Sequence, residues 1–172
     1  MTIALAAILI GIAVPSLTMF VQNSRENSEA ESLITSLSYA RSEAVKRDAN
    51  VEVCASTDGA SCSQSSAWNT GWIVETTGAT PTVLQVMPAL GVGNTLTGSL
   101  GGNAVTEVTF QQDGFVQAAA GSGVYETTYF TLCDSRGAAY ARDIEITATG
   151  AIEASDTPGE TLGTPPQALT CP

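Results

Sequence analysis

No charged side chain occurs before Arg25, and from Met1 to Val21 the chain is almost wholly apolar, broken only by Thr2, Gly11, Pro15, Ser16 and Thr18. This run passes without a polar stop into a charged, helix-patterned stretch that reaches Arg47. A helix rising about 1.5 Å per residue needs roughly 20 apolar residues to match a hydrocarbon core about 30 Å thick. The sequence therefore predicts one rod in two halves, a membrane half over residues 1–22 and an amphipathic half over residues 23–48, followed by a globular head over residues 49–172. A cleavable secretory signal fits poorly, because no Lys or Arg precedes the apolar run and the small residues Ala4 to Ala7 stand at its front. A plain single-span anchor leaves the helical pattern beyond it unexplained.

Pro15 removes a backbone hydrogen bond and bends the rod, which a membrane helix tolerates where neighbouring helices cover the freed carbonyl. Beyond it Leu17, Phe20 and Val21 lead to Ala30, Leu33, Ile34, Leu37, Ala40, Ala44 and Val45, an apolar stripe at three-to-four spacing. Glu26, Glu29, Glu31, Arg41, Glu43 and Lys46 are assigned to the opposite, polar face. Asp48 and Asn50 mark the helix end.

After Val51 the pattern changes to short strands and polar turns. Strands are expected at Val51 to Cys54, Gly71 to Glu75, Thr82 to Met87, Ala104 to Phe110, Thr127 to Cys133 and Tyr140 to Ala148. Gly91 to Gly102, Gly121 to Gly123 and Thr157 to Pro166 are rich in turn formers and are expected to be loops. One long helix followed by antiparallel strands is an α+β layout with the sheet packed on the helix. The helix-to-sheet core is expected from Leu33, Ile34 and Leu37 on one side and Trp72, Val74, Phe110, Phe130 and Ile144 on the other.

With 172 residues, the chain has room for one domain of about 120 residues and a helical stalk. Charges balance up to Arg47, so the whole net charge of −11 falls from Asp48 onward, where only Arg136 and Arg142 oppose the carboxylates. Such a head repels phosphate backbones, and nucleic acid is a poor default partner. Histidine is absent, which removes the usual general base and the commonest metal ligand. No paired carboxylates at a recognisable spacing and no glycine loop entering a helix suggest catalysis, so the chain is read as a non-enzyme without cofactor or metal.

Cys54, Cys62, Cys133 and Cys171 form no C-x-x-C pair and read as two disulfides in an oxidising compartment. Of the three pairings, Cys54 with Cys62 and Cys133 with Cys171 are favoured: the first closes a short loop and the second pins a loose tail. Trp68 and Trp72 bracket a turn and are read as anchors of that loop on the sheet. Asp134, Arg136, Arg142 and Asp143 are read as ordinary surface pairs in a turn and along a strand. The oxygen-rich loop Ser56 to Gly59 has one carboxylate, too few for calcium.

The run Ala7 to Ser16, Ala-Ile-Leu-Ile-Gly-Ile-Ala-Val-Pro-Ser, resembles the membrane half of a type IV pilin or type II secretion pseudopilin helix, including its kinking proline. Ala40 to Arg47, Val51 to Cys54, Trp68 to Trp72, Phe110 with Asp113-Gly114, and Leu132 to Gly137 resemble, in order and spacing, the pseudopilin H and FimT/FimU minor pilin family. The resemblance implies a type IV pilin-like fold: a long kinked helix packed on an antiparallel head. It also implies a structural role, assembly into a type IV pilus or a type II secretion pseudopilus, at or near the tip. The implied assembly residues are Ile8, Leu9, Ile10, Gly11, Ile12, Val14, Pro15, Leu17 and Phe20. The implied partners are other major and minor pilins or pseudopilins and an inner-membrane assembly platform. Before assembly the chain would cross the inner membrane once, with its head in the periplasm.

Members of the family begin with a basic leader, a prepilin-peptidase cut and a Glu shortly after it. This chain starts inside that segment, which is read as a late-assigned start or a trimmed chain, so processing and N-methylation are given to no residue here. Some FimT-like pilins bind DNA through a Gly-Arg-x-Arg stretch, and the matching place reads Thr149-Gly-Ala-Ile-Glu153, without the cations that phosphates require. DNA or substrate capture stands as the alternative role. The residues do not separate pilus from pseudopilus, although the cysteine pattern and Trp68 to Trp72 lean toward the pilus.

Overall fold

The computed structural model describes residues 2–117, 127–162 and 167–171, with helix side chains from residue 17 onward. Among the described residues one α-helix, α1 (Thr2–Arg47), is followed by ten strands: β1 (Val51–Ala55), β2 (Trp72–Thr76), β3 (Val83–Met87), β4 (Thr95–Leu100), β5 (Asn103–Ala104), β6 (Glu107–Phe110), β7 (Val116–Gln117), β8 (Thr128–Cys133), β9 (Arg142–Ile146) and β10 (Ile152–Ala154). Helix α1 ends where Asp48 takes a positive φ of 52° and the Ala49 amide bonds back to the Ala44 carbonyl at 3.2 Å. That is a Schellman-type stop, with Asp supplying the left-handed residue that Gly more often provides.

The strands form two antiparallel sheets rather than one, in the orders β3-β2-β1-β6-β7 and β10-β9-β8-β4-β5. The helix packs against β1, β2 and β6 of the first sheet and β9 and β10 of the second. A single core joins the three layers: Leu33, Leu37, Ala40 and Ala44 of the helix meet Val51, Val53, Trp72, Val74, Phe110, Phe130, Ile144 and Ile146, with Ile34 partly buried against them. Each sheet has one face against the core, so its strands alternate, as Val51, Val53 and Ala55 do in β1.

Two expectations about the strands are corrected. Gly91 to Gly102 is not a loop, because β4 crosses it and pairs with β8 along its whole length. Gly98 there serves packing rather than turning: a Cβ at this position would lie 2.8 Å from Phe130 Cε1. Nor is Ala104 to Phe110 one strand. The chain changes sheets at Val105, whose buried carbonyl accepts the Trp68 indole N–H at 2.8 Å, leaving β5 in one sheet and β6 in the other. Gly121 to Gly123 lies outside the described residues, as does part of Thr157 to Pro166.

Disulfides join Cys54 to Cys62 and Cys133 to Cys171. The first fixes the 56–67 loop over the outer face of the first sheet. The second holds the tail against the other sheet, where Leu169 packs with Cys133 and Ala141.

Candidate functional site

The helix is held to the head by apolar burial and by three sets of polar ties. Glu26, only 2% exposed, accepts from Arg136 Nη2 at 3.1 Å. Arg136 also donates to Asp134 at 2.6 Å and to Asn23, and lies 4.2 Å from the Tyr140 ring centroid. Glu29 takes the Gly91 amide at 3.0 Å and the Asn94 side-chain amide, which ties the helix to the β3–β4 loop. Arg41 donates to the Gly114 carbonyl at 3.1 Å and the Thr149 carbonyl at 3.0 Å, clasping the β6–β7 and β9–β10 turns together. Gly150 is required at that clasp: its φ is +77°, and a Cβ there would meet the Gly114 carbonyl oxygen at 2.2 Å.

These ties, with the burial of Glu43, correct the assignment of Glu26, Glu29, Arg41 and Glu43 to a solvent face. Glu26, Ala30, Leu33, Leu37, Ala40 and Ala44 recur at three-to-four spacing, so Glu26 belongs to the buried stripe. Glu43 is buried beside Ala44, and its hydrogen bonds from Arg47 and Lys46 hold its carboxyl below the usual range. Val45 is corrected in the other direction: it is 54% exposed, one position past the end of the stripe.

Burial pushes the Glu26 carboxyl up to about 7, reinforced by the Asp134 charge and opposed by Arg136 and Arg142. The surface-pair reading of Asp134, Arg136, Arg142 and Asp143 is likewise corrected. Asp134 and Arg136 are nearly buried parts of the helix junction. Arg142 and Asp143 alternate to opposite faces of β9, and Asp143 sits under the tail, accepting the Leu162 amide at 3.2 Å.

Trp68 and Trp72 are both buried, Trp68 in edge-to-face contact with Phe130 at 4.8 Å between centroids. Asp58 spends its oxygens on its own loop, accepting from the Ala60 and Ser61 amides and from the Ser56 and Ser61 hydroxyls. Those bonds hold its carboxyl far below the usual range.

N-terminal to these ties the described side chains of the helix, from residue 17 to residue 22, are exposed. Leu17 is 62% exposed and Phe20 69%, with Met19 and Val21 also open. The side chains of Ile8, Leu9, Ile10, Gly11, Ile12, Val14 and Pro15 lie outside the described residues. Among the described residues no helix is long and apolar enough to cross a membrane.

Residues 29–150 match the sequence model of the family described as type II transport protein GspH. The chain belongs to the GspH family. The match runs from the helix tie at Glu29, through both sheets, to the Gly150 clasp. Among solved structures, the type IV minor pilin FimU of Pseudomonas aeruginosa aligns with a TM-score of 0.59 at 22% identity, covering 80% of this chain and 98% of that one. The minor pseudopilin EpsH from the type II secretion system of Vibrio cholerae aligns with a TM-score of 0.56 at 11% identity, covering 80% and 99%. These structures share the fold of one long helix on two antiparallel sheets. No curated protein matches the sequence.

Proposed function

We propose that this member of the GspH family is a structural minor subunit that assembles through its N-terminal helix into a pilus or pseudopilus, carrying the head outward. The observation that carries the reading is the contrast along one helix. From Glu26 to Ala44 its inward face is buried in the head and tied to both sheets, whereas Leu17, Met19, Phe20 and Val21 are exposed among the described residues. Exposed contiguous apolar surface on a rigid element marks an interaction face. Helices of this kind, with Gly11 and nearby alanines allowing close approach, pack side by side.

In this reading residues 1–22 form the membrane and assembly half, and Ile8, Leu9, Ile10, Gly11, Ile12, Val14, Pro15, Leu17 and Phe20 meet sister helices. The partners are other major and minor pilins or pseudopilins, with an inner-membrane platform delivering the subunit from a single-pass, periplasm-facing state. The head acts as a rigid, disulfide-braced knob without catalytic chemistry. Nucleic acid is a poor partner for it, since the Thr149 to Glu153 segment offers no cation and its neighbour Arg41 is committed to two backbone carbonyls.

Removing residues 1–21 tests this division. The remaining chain is expected to be soluble, folded and monomeric by light scattering, and its assembly into filaments would refute the proposal.

A further inference from the structure

The outer face of the first sheet brings three carboxylates beside a disulfide. Glu52 of β1 stands directly opposite Glu75 of β2, and Glu107 of β6 stands opposite Cys54. Period-two alternation puts Glu52 and Cys54 on the same face, away from the helix. The 56–67 loop covers that face and delivers Cys62 to Cys54. Glu75 is buried, with one oxygen 3.0 Å from Cys62 Sγ, and a Glu52 oxygen lies 3.7 Å from the same sulfur. A disulfide sulfur has no hydrogen to give, so neither contact satisfies a carboxylate.

Among the described residues, no Lys or Arg forms an ion pair with Glu52, Glu75 or Glu107. Asp58, the charged residue of the 56–67 loop, is taken up by its own turn. Directly opposed like charges on a sheet repel, and more strongly under cover. Two carboxyls can nonetheless bond each other when they hold one proton between them, and the register that sets Glu52 directly opposite Glu75, both against the Cys62 sulfur, places these two side by side.

We propose that Glu52 and Glu75 share a single proton, and that this proton keeps the Cys54–Cys62 loop closed over the sheet. Burial, then the Glu107 charge and the bond to Glu75, push Glu52 up to about 7. Below that pH the carboxyl donates to its partner carboxylate and the loop is seated. Above it the proton leaves to solvent, two charges face each other under the loop, and the loop loosens while the disulfide stays intact. The loop is thus a proton-sensitive flap on an otherwise stiff head.

The Ser63 amide, bonded to the Ala55 carbonyl at 2.9 Å, reports the closure. Its hydrogen-exchange protection, corrected for the intrinsic pH dependence, is expected to fall about tenfold or more between pH 5.5 and 8.5, one pH unit of coupling being a factor of about ten. The Leu169 amide, bonded to the Gly159 carbonyl in the tail, is expected to stay constant. Glu75→Gln, whose amide donates permanently to Glu52, is expected to flatten the Ser63 profile. Carbon-detected titration of the wild-type glutamate carboxyls needs no variant and should show one glutamate of this pair with an apparent pKa near 7. Flat Ser63 protection in the wild type, an unchanged slope in Glu75→Gln, or no carboxyl of the pair titrating above about pH 6 would each overturn the proposal.

Discussion

Leu37 is fully buried where the helix meets both sheets, so Leu37→Ala measures how much the head depends on this seat. The substitution removes three carbons, worth about 2.4 kcal/mol at about 0.8 kcal/mol each. The cavity adds to this, because the surrounding strands are fixed by their own ladders and relax little, giving about 3 to 4 kcal/mol in total. With a urea dependence of about 1.5 kcal/mol/M, the unfolding midpoint should fall by roughly 2 to 2.7 M. The assay is urea unfolding followed by tryptophan fluorescence, since Trp68 and Trp72 are both buried in the same core. Val92→Ala, at a side chain 100% exposed, is the control and should stay within about 0.5 kcal/mol of wild type. A loss below about 1 kcal/mol for Leu37→Ala would mean that the helix rests on the head without forming part of its core.

Cys171→Ser should free the tail from the second sheet and lower stability by about 3 to 4 kcal/mol on chain-entropy grounds, measured as a drop in melting temperature under non-reducing conditions. The Glu26 carboxyl, raised to about 7, binds more protons folded than unfolded between its ordinary pKa and about 7. Its contribution is therefore complete at low pH and lost as pH rises through that window, by roughly 3 kcal/mol at most. Stability curves at pH 5 and 8 should differ more for the wild type than for Glu26→Gln, and equal differences would remove Glu26 from the account. Gly98→Ala should cost about 1 to 3 kcal/mol by driving a methyl group into Phe130, read from the same urea curves.

Much of the architecture was legible because periodicity is a local property. The helix stripe through Leu33 and Leu37 and the β-branched runs at β1, β2, β3 and β8 declare themselves within a few residues. What stayed hidden depends on where distant segments meet. Gly98 reads as a turn former until the Phe130 ring is known to lie across it. The break at Val105 reads as continuous strand until Trp68 is seen bonded to its carbonyl. Glu26 reads as a solvated charge because charge is taken as a sign of exposure, although its spacing from Ala30 and Leu33 already placed it on the buried stripe. Its counter-charge, Arg136, lies far along the chain, beyond the reach of any local pattern.

Cysteine cross-linking on the helix tests the assembly claim most directly. All four native cysteines are in disulfides, so Phe20→Cys introduces a single reactive thiol on the uncovered helix face. In cells assembling filaments, a short thiol cross-linker should join this position to cysteines placed on the N-terminal helices of partner subunits, while Val92→Cys on the head should give no helix adducts. Efficient helix cross-linking from position 92, with none from position 20, would contradict the account.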